Sequence, residues 1–308
     1  MTDDAARVTA VVPVFRPDES LVDLVAALAA QCDAVVLVDD TGSSEADDPT
    51  GQGAAVDRLD LLGRLERLER CRAAGAEVIR HETNRGIATA LNTGVSQAFS
   101  QQPGADAVVT VDQDSVVTAD LVRRLVDAWR QAQQAGLDVG LVAPQHVEGL
   151  PDQTHTASMG VLLGRDPIQS GLLVPATTWS AVGGFDEGLF IDGVDTDFAL
   201  RVLDARLAVV LAPGLRLGHR LGTSAEVGGV KVTRSATFRY YYLTRNRVLL
   251  LRRYARPHPH WAAGQVVGVA GHLGKVLALT PQRRAVLREV RHGIRDGVRG
   301  VTGRRPPG

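Results

Sequence analysis

Through the first half of the chain, short continuous apolar runs alternate with stretches in which apolar residues recur every three or four positions. Val8 to Val14 is a run of the first kind, suited to a buried strand, and Asp18-Glu19-Ser20 then opens a helix whose Leu21, Leu24, Val25 and Leu28 fall at i, i+3, i+4 and i+7. Val35 to Val38 is a second strand, ending abruptly in Asp39-Asp40 and a loop rich in Gly, Ser and Asp. Leu59, Leu61, Leu62, Leu65 and Leu68 predict a helix and Val78-Ile79 a third strand. Asn84-Arg85-Gly86 makes the turn into another helix, striped by Ile87, Leu91, Val95, Ala98 and Phe99. A fourth run, Ala107 to Val111, ends in Asp112-Gln113-Asp114-Ser115, and Leu121, Leu125 and Trp129 mark the helix that follows.

Strands separated by amphipathic helices predict an α/β fold with a mostly parallel sheet and right-handed crossovers, whose ligands lie beyond the carboxyl ends of the strands. Asp39 and Asp112 would both stand there. From Ser158 the pattern turns irregular and glycine-rich. Strand-like pieces at Val161 to Leu163, Leu172 to Val174 and Ala208 to Leu211 surround one helix, Asp195 to Asp204, so a mixed half is expected. Residues 261–279 are long and apolar enough to suggest a membrane span, but His272, Lys275 and the glycines favour a surface helix.

Composition adds little against an ordinary globular chain: 44% of residues are hydrophobic and 22% charged. Two cysteines, Cys32 and Cys71, cannot form a disulfide framework, and the N-terminus lacks the basic start and apolar middle of a secretory signal. A cytoplasmic protein is expected. The net charge of −1 conceals an asymmetry. Residues 231–308 carry 17 of the 34 Lys and Arg but only Glu289 and Asp296 among the acids, a balance of +15 against −16 for residues 1–230. The basic segment suits either peripheral contact with an anionic membrane at the inner face of the plasma membrane or a solvated helix packed on the domain. It lacks a nucleic-acid-binding motif, so no nucleic acid is expected. Oligomeric state is not legible.

Asp112-Gln113-Asp114 is the sharpest chemical feature. Two carboxylates at i and i+2 just past a buried strand can reach a divalent cation and a ligand together, and Mg²⁺ or Mn²⁺ prefers such oxygen donors with substrate phosphates completing the shell. A second acidic cluster, Asp192, Asp195 and Asp197, lies among apolar residues. Desolvation there would raise a carboxylate's pKa towards that of a general base, and Asp195 takes that role, with Asp192 or Asp197 as a helix cap or a partner of Arg201. His219, flanked by glycine in a loop after a strand, is free to reach a metal or a phosphate.

Several blocks, in order, resemble the inverting glycosyltransferases of family 2, and within them the rhamnosyltransferase group. They are Val11-Val12-Pro13, Val38-Asp39-Asp40, Asn84 to Gly94, Val111-Asp112-Gln113-Asp114-Ser115, Ser170 to Leu173, Gly183 to Asp195, Gly218-His219, Arg245-Asn246 and Gly293 to Gly297. The resemblance implies a GT-A (Rossmann-like) fold, a nucleoside-diphosphate sugar donor and Mg²⁺ or Mn²⁺. By the same token Asp39 contacts the nucleobase, and Pro13, Phe15, Asn84, Gly86, Asn92, Asp112 and Gln113 bind the nucleotide sugar. Asp114 and His219 hold the metal, Asp195 is the base, and Asp192, Asp197 and Arg201 serve the acceptor or support the site. Departures include Phe15-Arg16 for Tyr-Asn, Asp40 for Asn, Asp197-Phe198 for Glu-Trp, and a longer acidic segment from Ser43 to Gly75.

The expected organisation is a GT-A domain over 1–230, with a nucleotide-binding half to about 115 and an acceptor half from 116, followed by a basic helical region over 231–308. The expected activity is transfer of one sugar, L-rhamnose from dTDP-L-rhamnose, to a glycan or polyprenyl-diphosphate-linked glycan in cell-surface polysaccharide synthesis. Two alternatives stand beside it. In a haloacid-dehalogenase-type phosphohydrolase Asp112 would be the nucleophile; the other is a non-catalytic sugar-nucleotide-binding protein.

Overall fold

The computed structural model describes residues 6–42, 58–219, 224–227, 230–233 and 237–306. The alternation read from the sequence becomes β1 (Val8–Val14), α1 (Ser20–Ala29), β2 (Ala34–Asp39), α2 (Arg58–Ala73), β3 (Ala76–Arg80), α3 (Ile87–Ser100) and β4 (Ala107–Thr110). These four strands run parallel in the order β3-β2-β1-β4. Each residue of β1 and β4 is buried, as a strand covered by helices on both faces requires. Of the long acidic segment, residues 43–57 lie outside the described residues.

The second half completes the same sheet rather than starting another. After β5 (Ser115–Val116) and α4 (Leu121–Gln134) come β6 (Val139–Val147), β7 (Thr156–Ser158), β8 (Val161–Leu163), β9 (Leu172–Pro175), α5 (Ala176–Val182), α6 (Val194–Asp204) and β10 (Ala208–His219). The order continues β4-β9-β6-β10-β8-β7, with β9 inserted antiparallel between β4 and β6. A short antiparallel pair, β11 (Ser224–Val227) with β12 (Val230–Thr233), follows. One core cluster runs under α1 and α4 on one face of the sheet, and a second under α3, α6 and Trp261 on the other.

The basic C-terminal region forms α7 (Arg239–Tyr254), α8 (Pro259–Leu279) and α9 (Arg283–Arg299). It is built into the domain. Arg245, fully buried, and its neighbour Asn246 hold the backbone that leads into α6: Asn246 Nδ2 donates to the carbonyls of Leu189, Ile191 and Asp192 at 2.7–2.8 Å, and Arg245 Nη2 to that of Leu189 at 2.9 Å. That segment carries Phe190 and Asp192 at φ of 64° and 66°, a left-handed conformation that side chains resist, so these five-donor and amide groups hold a strained backbone in place. Helix α9 crosses α7 closely. A Cβ on Gly293 would lie 2.1 Å from Thr244 Oγ1, and one on Gly297 2.7 Å from the Arg245 carbonyl. The chain then returns to the same loop, where Gly303 N donates to the Gly188 carbonyl at 2.6 Å and Arg304 to that of Asn84 at 3.3 Å.

Candidate active site

The ends of β1 and β4 and the N-terminus of α6 open on one cleft of about 530 Å³. Pro13 lies near the end of β1 and Phe15 just after it, Asn84 and Gly86 precede α3, Asp112, Gln113 and Asp114 follow β4, and Asp192 and Asp195 stand at the entry to α6. All of these expected residues line the cleft. Gln113 ties two of the walls together. Its Oε1 accepts from the Phe15 backbone N–H and its Nε2 donates to the Phe15 carbonyl, both at 2.9 Å. Ser170, on the approach to β9, accepts from the Asp112 N–H at 3.0 Å and shares a 2.7 Å hydrogen bond with Ser115. The Asp-x-Asp turn is therefore braced from two strands.

Several expected residues stand elsewhere. Asp39 is only 1% exposed and does not line the cleft: it faces Arg64 and Arg80 at 3.6 and 3.7 Å and accepts from the Thr41 N–H. Its neighbour Asp40 lines the cleft instead, because alternate residues of a strand point to opposite faces. Asp40 accepts from the N–H groups of Arg85 and Gly86 at 2.9 and 2.7 Å and pairs with His81 at 2.7 Å, so it shapes the turn that presents Asn84. Asn92 also lies off the cleft. It brackets Phe185, donating to its carbonyl and accepting from its N–H, and so pins the segment before α6 to α3. Asp197 is wholly buried and bonded to Arg201, Arg253 and the Tyr254 hydroxyl at 2.6–2.9 Å. With both oxygens engaged it holds α6 against α7. Arg201 spends its other donors on the carbonyls of Val182 and Gly184. His219 ends β10 opposite Ser115; its side chain lies outside the described residues.

Two lining residues come from beyond position 230 and were not singled out in the sequence: Phe238 and Arg239 at the start of α7. Arg239 Nη2 donates to Asp192 Oδ1 at 2.6 Å. A bias towards arginine in the segment was visible, but only the packing of α7 brings this one to the cleft. Further in, Arg247 leaves its Nε and Nη1 buried without a hydrogen-bond partner among the described residues, close enough to Asp166, Asp195 and Asp192 to feel their charges.

The carboxylates crowd one another. Burial, reinforced by Asp114 and Asp195, pushes Asp112 up to about 7, opposed by Arg239. Burial, then the charges of Asp166 and Asp192, pushes Asp195 up to about 6, opposed by the Thr196 N–H that donates to it at 2.8 Å. A carboxylate near 6 accepts a proton readily at neutral pH. Among the described residues no group of three or more His, Cys, Asp and Glu is arranged to hold a metal ion. Asp112 and Asp114 nevertheless fit a divalent cation. Mg²⁺ is held by one or two carboxylates when substrate phosphates complete its shell, and a cation would relieve the mutual repulsion that raises Asp112.

Residues 62–181 match the family model described as glycosyl transferase family 2. The match runs through Asp112-Gln113-Asp114 and leaves the phosphohydrolase reading of that turn without support. The chain is 27% identical over 237 residues to the dTDP-rhamnosyl transferase RfbF of Shigella flexneri, spanning 71% of this chain and 77% of that one. Among solved structures, S. aureus TarS 1-349 in complex with UDP-GlcNAc superposes with a TM-score of 0.53 at 17% identity, covering 96% of this chain and 81% of TarS. GalNAc-T7 with UDP, GalNAc and Mn²⁺ superposes with a TM-score of 0.55 at 12% identity, covering 96% of this chain and 56% of that one. At these identities the two likenesses concern the fold.

Proposed function

We propose that the chain is a family 2 glycosyltransferase of GT-A fold, as its family-model match and its likeness to the Shigella relative support, and that it moves a single sugar, with inversion, from a nucleoside-diphosphate donor to a hydroxyl of a glycan. The first donor to test is dTDP-L-rhamnose, because the Shigella relative is named as a dTDP-rhamnosyl transferase. The observation that carries the reading is the meeting of Asp112, Asp114 and Asp195, from distant parts of the chain, on one cleft.

In this reading Pro13, Phe15, Asn84 and Gly86 receive the nucleotide, and Asp112 and Asp114 hold Mg²⁺ or Mn²⁺ beneath the diphosphate. When bound, the cation offsets the negative charge that develops on the departing nucleoside diphosphate. Arg239 adds a fixed positive charge at the same end of the cleft. Asp195 takes the proton of the acceptor hydroxyl as that oxygen attacks the anomeric carbon from the face opposite the leaving group. Asp192, oriented by Arg239 and by the Asn246 bonds to its backbone, borders the acceptor. The raised proton affinity of Asp195 suits it to the transfer, because it binds the proton strongly enough to remove it and weakly enough to release it. A glycan on a polyprenyl diphosphate at the cytoplasmic leaflet, within cell-surface polysaccharide synthesis, fits an enzyme with so basic a C-terminal region.

The deciding experiment incubates the protein with dTDP-L-rhamnose, UDP-sugars and GDP-sugars in turn, with Mg²⁺ or Mn²⁺, and follows release of the nucleoside diphosphate. Slow release without acceptor, lost in Asp195→Asn, is expected. A protein that binds donors but never cleaves one is a sugar-nucleotide-binding protein instead.

A further inference from the structure

Helix α8 is apolar through most of its 21 residues, yet only 11% of its apolar stretch is buried. Its two ends are fastened to the domain. Trp261 and Ala262 belong to the core beneath α6, and Val276 packs with Tyr240 of α7 and Val286 and Val290 of α9. A helix tied down at both ends lies along the surface and cannot cross a bilayer. Its middle turns are bare: Val266 is 54% exposed and Val267 73%. Water-facing apolar surface on this scale is a cost that a binding surface offsets.

Helix α9 follows after residues 280–282 and shows a matching outer face. Leu287, Ile294 and Val298 are exposed at i, i+7 and i+11, which places them on one stripe of the helix. Arg284, Arg288, Arg291, Arg295 and Arg299, also exposed, run along the flank of that stripe. The two acids of the helix pair with two of these arginines, Glu289 with Arg288 at 3.4 Å and Asp296 with Arg295 at 2.9 Å, and are also held inward, Glu289 by Arg305 and Asp296 by Tyr241. The flank keeps a net positive charge through Arg284, Arg291 and Arg299. An apolar stripe edged by arginines is the pattern of a helix lying in a headgroup layer, with the side chains reaching about 5–10 Å inward. A second copy of this chain is a poor occupant, because two such rows of arginine would face each other.

The position of this face relative to the cleft is also fixed. On the inner side of α8, Trp261 Nε1 and Gln265 Nε2 reach Asp166 Oδ2 at 3.4 and 3.5 Å, and the charge of Asp166 acts directly on Asp195. The bare face of α8 is thus separated from the base's surroundings by roughly one helix diameter, about 10 Å.

We propose that the outer faces of α8 and α9 form a docking surface for an anionic bilayer, held by inserted apolar side chains as well as by charge, which brings the acceptor side of the cleft to the membrane. This deepens the lipid-linked acceptor reading above and rests on it for its purpose, though not for the binding itself. A purely electrostatic tether would let go in salt; this one should hold in part.

Flotation of the full chain with phosphatidylcholine vesicles, with and without phosphatidylglycerol, tests it. Wild type should float with the anionic vesicles and remain partly bound in ~1 M salt, where charges are screened within about 3 Å. Val267→Glu, at a position with no packing to lose, should melt like wild type and bind at least tenfold more weakly. Arg284→Glu with Arg291→Glu should weaken low-salt binding by about fivefold or more per site and leave melting unchanged. Donor cleavage in vesicle-free solution should be equal in all three proteins. Wild type that stays with the pelleted fraction in every vesicle composition, complete release by salt, or a Val267→Glu protein that floats normally overturns the proposal. Flotation without any donor cleavage would leave the surface standing and remove the transferase reading.

Discussion

Arg239 and Asp192 meet at 2.6 Å within the cleft, and the same arginine draws down the proton affinity of Asp112. One side chain from the far C-terminal region is thus shared between the loop that precedes α6 and the turn that follows β4. If Arg239 lies beside the donor's diphosphate, Arg239→Ala should raise the donor KM roughly 10- to 100-fold, the range for losing a charge-assisted hydrogen bond. Arg239→Lys should recover part of the loss. Steady-state kinetics with varied donor would show it, and an unchanged KM in Arg239→Ala would remove Arg239 from donor binding.

Asp195→Asn should leave donor affinity within about twofold and reduce turnover by roughly 10²- to 10⁴-fold. Calorimetric titration of donor beside a sugar-transfer assay separates the two effects. Equal turnover in the variant would refute Asp195 as the base.

The pH dependence follows from the same carboxylate. A base active only when deprotonated, with a pKa of about 6, gives a kcat/KM that rises with pH and levels off above that value. Stability moves the other way. The folded chain holds this proton more tightly than the unfolded chain, whose carboxyl titrates near 4, so folding loses stability as pH climbs from about 4 to 6. Asp195→Asn lacks that loss and should melt a few degrees higher than wild type at pH 7, on the order of 1 kcal/mol. Differential scanning calorimetry at about pH 4.5 and 7, roughly the two ends of the titration, should show the gap widening at the higher pH.

Removing Asp114 should uncouple donor from cation. In Asp114→Ala, adding Mg²⁺ or Mn²⁺ should no longer tighten donor binding, whereas in wild type EDTA should weaken it to the level of the variant. Donor titrations with and without EDTA decide the matter. A variant that still responds to metal assigns the cation to other ligands.

Arg245→Met should be among the most damaging substitutions in the chain, because it strips donors from carbonyls at Leu189 and Gly188 that have been buried on the way into α6. A loss of about 3–5 kcal/mol is expected from breaking such a buried charged network. Gly293→Ala should cost about 1–3 kcal/mol by forcing α9 away from Thr244. Urea midpoints would measure both, and near-native stability in either would contradict the packing described.

The alternation of apolar runs and amphipathic stripes placed β1 to β4 and the helices between them, because a buried parallel strand and a one-sided helix each leave a periodic signature, though α2 runs on to Ala73, past the last leucine of its stripe at Leu68. The carboxylates of the cleft were legible for a related reason: they interrupt apolar stretches, Asp112 and Asp114 at a strand end and Asp192 and Asp195 at the entry to a helix. Long-range placement was not. Leu172 to Val174 reads as a strand, but nothing local says that it slots between β4 and β6 or that it runs antiparallel. Val139–Val147 was overlooked because Pro144 and two polar residues break its run, and only pairing with β9 and β10 explains it. The roles of Asp40 and Asp39 depended on which face of the strand end each occupies, a difference of one residue. Arg239 and Phe238 fell on the far side of the boundary drawn at 230, since charge balance separates composition and not contact.

Strand β9 has a practical bearing on any attempt to divide the protein. Thr110, Val109, Val108 and Ala107 are paired along their whole length with Leu172 to Pro175. A fragment stopping near 115 would present that backbone, flanked by valines, as an open margin ready to recruit any extended peptide. Such an N-terminal fragment should therefore precipitate when produced alone, and co-production with the remainder of the chain should rescue it.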